Sequence, residues 1–304
     1  MGTPAFAVPS LEALIEAGHE ILTVVTQPDR PKGRGRETAP SAVKAAATAH
    51  SIPVITPTGI RVASFADSLL EMAPEFIVVV AYGRILPESV LNVPSMGCVN
   101  LHASLLPNYR GAAPINWAII NGDKETGVST MFMDAGLDTG PVLLEKKVEI
   151  ADDDTTATLG VKLSTVGARL LAETIDGLLE GKLEPRPQDG KKATFAPVLK
   201  KEDGRIDWNS GSVEIESLIR GMHPWPGAFT QWKGQLKIHS AMAEAGGVAG
   251  VTPGTVIDAS GATIDVACGM GVLRITELQP ENKRRMSAEE FIRGYRIKSG
   301  EQFT

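Results

Sequence analysis

The segment Val99-Asn-Leu-His-Ala-Ser-Leu-Leu-Pro-Asn-Tyr-Arg-Gly-Ala-Ala-Pro114 carries a carboxamide and an imidazole two residues apart, Asn100 and His102. On an extended strand that spacing puts both side chains on one face, roughly 6–7 Å apart along the chain. An amide donor and an imidazole aimed at one point suit the tetrahedral intermediate of an acyl transfer. Asn donates to the developing oxyanion, and His donates to it or shuttles a proton. A second segment, Met133-Asp-Ala-Gly-Leu-Asp-Thr-Gly-Pro141, supplies the carboxylate of Asp138 between Gly136 and Gly140, where the backbone can turn tightly and approach a ligand. A carboxylate there can orient His102 and favour its protonated form. Taken singly, Asn-x-His on a strand also reads as a satisfied polar pair, and Asp between glycines as an ordinary turn residue.

Positioning these groups requires a sheet. The apolar runs 20–26, 76–80 and 97–101 read as strands, and continuous runs of this length suit parallel strands buried on both faces. Residues 10–17 and 41–50 read as helices opening on serine N-caps, with Gly18 in place as the C′ residue of the first. The alternation predicts an α/β, Rossmann-like doubly wound, mostly parallel sheet. Asn100 and His102 then fall at the carboxyl end of a strand, where open α/β sheets bind ligands. A long helix over 155–180 ends at Gly181, and 184–190, rich in Pro and polar residues, reads as a linker. Beyond Gly204 the texture changes. One helix over 212–220 precedes short alternating runs at 235–239, 255–258 and 272–278, which predict a small β-barrel of OB-like type. The expected division is a catalytic domain over 1–183, a linker over 184–203 and a C-terminal barrel domain over 204–304.

A chain of 304 residues exceeds the size at which one core usually stops growing, which agrees with two domains. No uncharged apolar run reaches the roughly 18 residues of a membrane span, and residues 1–19 carry no signal-peptide pattern. Cys98 and Cys268 are too few for a disulfide framework or a zinc site, which suits a reducing cytoplasm. The net charge of −6 argues against a nucleic-acid partner in bulk, yet basic residues cluster locally. The Pro- and Gly-rich loop at 30–36 holds Arg30, Lys32, Arg34 and Arg36. Read from charge alone, it is either a solvated loop or a binding surface for RNA backbone. Lys200-Lys201 and Lys283-Arg-Arg285 would extend a basic track.

Asn100-Leu-His102, Ser104-Leu-Leu-Pro107, Arg110-Gly-Ala-Ala-Pro114 and Gly136-Leu-Asp138-Thr-Gly140 resemble the signature of transferases that use formyltetrahydrofolate. Gly2-Thr-Pro-Ala-Phe-Ala-Val-Pro9, Gln27-Pro-Asp-Arg-Pro31, Arg205-Ile-Asp-Trp208 and Pro224-Trp-Pro226 narrow the resemblance to the methionyl-tRNA formyltransferase family over essentially the whole chain. The resemblance implies 10-formyltetrahydrofolate as co-substrate, methionyl-initiator tRNA as acceptor, no metal, and a bacterial cytoplasmic enzyme expected to be a monomer with no membrane partner. It makes Asn100, His102 and Asp138 a catalytic trio, and Ser104, Leu105, Leu106 and Pro107 a folate-contacting loop. It also implies that the backbone of Arg84, Ile85 and Leu86 reads the pterin ring, and that Arg30, Lys32, Arg34, Arg36 and Lys201 bind tRNA.

Members of this family open with a short apolar strand before the Met-Gly-Thr-Pro motif. This sequence opens at that methionine, so the first strand is absent and a truncated or misassigned start is expected. Losing about five buried apolar residues would cost several kcal/mol. The alternatives to weigh are a formyltransferase acting on an amino sugar nucleotide, a hydrolase releasing formate from the same folate, and a catalytically silent RNA-binding protein.

Overall fold

The computed structural model describes residues 1–32, 37–244, 246 and 250–304, and these divide into two compact units. The first comprises Met1–Pro114, Glu125–Glu149 and Gly160–Ala196. Its helix α1 (Val8–Glu16) begins with Pro9 in the first turn, where the missing N–H costs nothing, and buries Leu11 and Leu14. Ser10, expected as the N-cap, lies inside the helix and is buried; Ala7 holds the cap position instead. Gly18 takes the left-handed conformation expected after a helix end. After β1 (Val24–Val25), β2 (Arg30–Lys32) pairs antiparallel with β3 (Glu37–Ala39). Helix α2 (Ala42–Ala49) follows and is N-capped as expected: Lys44 N donates to Ser41 Oγ at 3.0 Å.

Next come β4 (Val54–Ile55), α3 (Ala63–Glu71), β5 (Ile77–Val80), α4 (Glu88–Leu91) and β6 (Cys98–His102). Strands β1 and β4 pair in parallel, as do β5 and β6, with Val79 opposite Asn100. Every residue of β6 is buried, which accounts for the unbroken apolar texture around its two polar members. Past β7 (Arg110–Gly111) and α5 (Pro114–Ile120), two strands that the sequence pattern does not delimit complete the sheet. These are β8 (Glu125–Phe132) and β9 (Val142–Glu149), and both pairings, β6 with β8 and β8 with β9, are antiparallel. The sheet is therefore mixed: parallel through β6 and antiparallel beyond it. Helix α6 (Thr156–Leu179) ends before Gly181, which is left-handed.

Met1 and Gly2 bridge the two parallel pairs: Gly2 N donates to Val25 O at 3.0 Å and Val80 N to Met1 O at 2.9 Å. Between the β1 and β5 runs lies a cavity of about 460 Å³, closed by Leu14, Val43, Leu69 and Ile175. Neither Asn100, His102 nor Asp138 lines it, so this cavity lies apart from the groups singled out for chemistry.

The second unit comprises Ile115–Lys124, Ile150–Leu159 and Pro197–Thr304. The first two segments are tied in by Asn116 Nδ2 and Thr156 Oγ1, which both donate to Gly221 O, at 2.8 and 2.7 Å. Beyond β10 (Phe195–Ala196), which belongs to the first unit, helix α7 (Ser212–Gly221) precedes an antiparallel sheet. Its strands are β11 (Ala228–Gln231), β12 (Gln235–Glu244), β13 (Val256–Asp258), β14 (Ile264–Ala267), β15 (Val272–Pro280) and the short β16 (Met286–Ser287). They run in the order β11-β12-β15-β14-β13, with β16 on β15 and register shifts in β12 near Ile238 and Ser240, as strongly curled half-barrels require. Helix α8 (Ala288–Tyr295) carries a full capping box, Ser287 with Glu290. Buried Trp208 ties the start of the unit to the sheet, its Nε1 donating to Thr230 Oγ1 at 3.0 Å. Among the described residues no helix is long and apolar enough to cross a membrane.

Candidate active site

Strand β6 delivers Asn100 and His102 to the carboxyl end of its pairing with β5, both nearly inaccessible at 9% and 6% exposure. The carboxylate of Asp138 comes from the turn between β8 and β9. Its Oδ2 lies 3.7 Å from His102 Nδ1, beyond hydrogen-bond length but well within Coulombic reach. The other ring nitrogen, Nε2, is 2.9 Å from Tyr109 O. Both nitrogens thus face oxygens, Nε2 at hydrogen-bond length and Nδ1 beyond it.

Each partner of His102 is held in an unusual backbone conformation. Tyr109 and Asp138 both have positive φ, 59° and 53°, which non-glycine residues adopt only when their surroundings insist. For Asp138 those surroundings are explicit. Its Oδ2 accepts from Gly111 N at 2.8 Å, and its own carbonyl accepts from Gln188 Nε2 at 2.9 Å. The turn itself is closed by Asp134, whose Oδ1 accepts from Gly136 N (2.9 Å) and Thr139 Oγ1 (2.6 Å). Gly111 has φ +126°, and a Cβ there would sit 2.6 Å from Ala196 O, so the close approach of β7 to β10 demands glycine.

The loop at 104–107 is shaped from within. Ser104 is fully buried and donates to Asn108 O at 2.5 Å, while Leu106 packs on Met131 and Val142. Ser129 of β8 pins both ends, accepting from Leu106 N at 3.0 Å and donating to Ser104 O at 2.7 Å. Leu105 and Pro107 are the partly exposed members. After β5 the backbone passes through left-handed conformations at Ala81 and Gly83, leaving Ile85 69% exposed while Leu86 returns to the core. Arg84 Nη1 donates to Thr58 O at 3.1 Å. Of the basic residues, Lys201 is exposed; Arg30 and Lys32 lie on β2, paired with β3, and Arg34 and Arg36 lie outside the described residues.

Neither cysteine is a nucleophile near neutrality: burial pushes the Cys98 thiol up to about 12 and that of Cys268 to about 11. Among the described residues no group of three or more His, Cys, Asp or Glu could hold a metal ion. What the residues can do is stabilise an oxyanion and move a proton.

The chain matches two family models, "Formyl transferase" over residues 1–175 and "Formyl transferase, C-terminal domain" over 198–296. It is 50% identical over 301 residues to the methionyl-tRNA formyltransferase of Pelobacter propionicus, covering 99% of this chain and 93% of that one. The same enzyme of Geotalea uraniireducens is 50% identical over 300 residues, with coverage of 99% and 95%. The chain belongs to the methionyl-tRNA formyltransferase family. Among solved structures, an N-formyltransferase from Helicobacter canadensis in complex with folinic acid and dTDP-3-aminofucose superposes with a TM-score of 0.70 at 19% identity, covering 90% of this chain and 97% of that one. At that identity the likeness establishes the shared formyltransferase fold.

The sequence of this family member singles out the trio and its neighbouring loop but not the residues that hold them. Tyr109, Ser129, Asp134, Thr194 and Gln188 carry no chemistry by type or spacing. Gln188 falls in a stretch that reads as linker, and only its three-dimensional partners separate it from ordinary polar residues.

Proposed function

We propose that this protein transfers the formyl group of 10-formyltetrahydrofolate to the α-amino group of methionyl-initiator tRNA, giving formylmethionyl-tRNA for translation initiation in a bacterial cytoplasm. The observation that carries the reading is the convergence of Asp138 on His102 at the carboxyl end of β6, in a chain half identical, over nearly its full length, to relatives named for this activity. The neutral methionyl amine attacks the formyl carbon, and a C–N bond forms as the carbonyl oxygen takes on negative charge. Asn100 and the His102 ring donate to that oxyanion, the ring exchanging its Tyr109 carbonyl for the substrate oxygen. Asp138 holds His102 and takes part in moving one proton from the attacking amine to N10 of the folate, whose bond to the formyl carbon then breaks.

Leu105, Pro107 and the backbone around Ile85 present the folate-facing surface, a role supported by their exposure beside buried neighbours. Arg30, Lys32, Arg34, Arg36 and Lys201 supply charge for the acceptor's phosphates. The deciding experiment is labelled formyl transfer to Met-charged initiator tRNA beside uncharged and elongator controls. Transfer to an amino sugar nucleotide instead, or release of free formate, would overturn the acceptor assignment.

A further inference from the structure

The His102 ring has two oxygen neighbours, and one short segment, residues 188–196, grips the chain at both. At one end Gln188 uses its whole side-chain amide. Its Oε1 accepts from Nε and Nη2 of Arg110, at 3.1 and 2.7 Å, while its Nε2 donates to Asp138 O at 2.9 Å and Gly140 O at 2.6 Å. At the other end Thr194 receives Tyr109 N on its Oγ1 at 2.8 Å and Arg110 N on its carbonyl at 2.9 Å. Arg110 is only 7% exposed, so its guanidinium is a buried charge that needs an acceptor of fixed position. Gln188 supplies that acceptor and, through the same rigid amide plane, fixes two carbonyls of the turn that carries Asp138.

We propose that Gln188 is a positioning residue for formyl transfer: clasped by Arg110, it sets the place of the Asp138 carboxylate against His102. The chemistry favours an amide at this position. A carboxylate would still accept from Arg110 but would turn two donors into charge facing the carbonyls of Asp138 and Gly140, and a lysine would donate without accepting. Left to itself, the turn at Asp138 has a non-glycine residue with positive φ and a carboxylate 3.7 Å from its partner, so a small relaxation moves the carboxylate away. A displacement of about 1 Å at such a site costs on the order of 100-fold in rate.

The inference rests on Asp138 acting in the transfer, and its test is built to separate the two ideas. Steady-state formyl transfer is measured for the full chain and for Gln188→Glu, Gln188→Ala, Asp138→Asn and Gln188→Ala/Asp138→Asn. Thermal unfolding is followed for each. Gln188→Glu keeps the bond to Arg110, so it serves if Gln188→Ala fails to fold. The expected result is a fall in kcat of about 10- to 100-fold for both Gln188 variants, with KM for folate and for tRNA within about threefold. In the Asp138→Asn background the Gln188 change should add less than about twofold, because the group it positions is already disabled. Wild-type kcat in Gln188→Glu beside a crippled Asp138→Asn sinks the clasp alone. An undiminished loss in the Asp138→Asn background also sinks it, by showing that Gln188 acts elsewhere. Full activity of Asp138→Asn sinks the role of Asp138 and the clasp with it.

Discussion

Asp138 Oδ2 lies 3.7 Å from His102 Nδ1 and 2.8 Å from Gly111 N, so one carboxylate oxygen serves the imidazole and a backbone amide together. The Gly111 N–H meets the oxygen on one side, and the ring faces it on the other. Replacing Asp138 by Asn keeps an oxygen for Gly111 N and removes the charge. The expected outcome is a fall in kcat/KM of about 100-fold or more, the usual worth of a proton-transfer group, with the unfolding midpoint nearly unchanged. Steady-state kinetics beside thermal unfolding checks it, and a large shift in midpoint would mean that the carboxylate is chiefly structural.

Asn100 stands two residues before His102 on a strand whose every position is buried. If Asn100 donates to the oxyanion as proposed, Asn100→Ala should lower kcat by about 100- to 1000-fold while leaving both KM values close to wild type. A variant that raises KM with kcat intact would place Asn100 in substrate binding rather than in the chemistry.

Ser129 of β8 is fully buried and makes two hydrogen bonds to the 104–107 loop. Ser129→Ala strands Leu106 N and Ser104 O together, at a cost of about 1–3 kcal/mol for each buried group left without a partner. We expect a lower unfolding midpoint and a raised KM for the folate, with a smaller change in KM for tRNA. Equal changes in both constants would show that the loop does not face the folate.

How far the sequence reaches is clearest at β6. Apolar residues interleaved with two polar ones at a period of two locate the strand and the face that Asn100 and His102 share, because alternation is a local property of extended chain. The partner carboxylate is legible as a residue type between glycines, but its distance from His102 depends on β8 and β9. Their polar, exposed members (Glu125 and the Glu145–Lys147 stretch) hide the strand period at the sheet's edge. The same kind of local rule misplaces the cap of α1. Serine is a good N-cap, yet Pro9 starts the helix earlier and Ser10 is carried inside. Gln188 is unreadable, since hydrogen bonds to residues far along the chain leave no mark on local composition.

The basic segment at 30–36 offers a test that needs no side-chain geometry. Replacing Arg30, Lys32, Arg34 and Arg36 by serine removes four positive charges. If they meet phosphates, KM for tRNA rises and its dependence on salt becomes shallower, by a logarithmic slope of about 0.7–0.9 for each phosphate no longer neutralised. KM for the folate should not move. An unaltered salt slope would assign the charges to solvent.

The second unit carries a built-in sensitivity to acid. His223 and His239 stand edge to face with ring centroids 6.5 Å apart, both partly buried. Burial first, and then the nearby charge of Arg285, hold both rings below the ordinary histidine value of 6.5. Lys237 adds to this for His239, while Glu277 and the bond to Gln279 oppose it in part. A base whose folded pKa is depressed binds its proton more readily when unfolded, so stability is complete above about pH 6.5 and falls as the pH drops through the window below it. The unfolding midpoint should therefore decline from about pH 7.5 to about pH 5.5. The decline should be smaller in His239→Gln, which removes one of the two rings and can still donate to Gln279 Oε1, the present partner of His239 Nε2 at 3.0 Å. Identical declines in the two proteins would show that the acid sensitivity arises elsewhere in the chain.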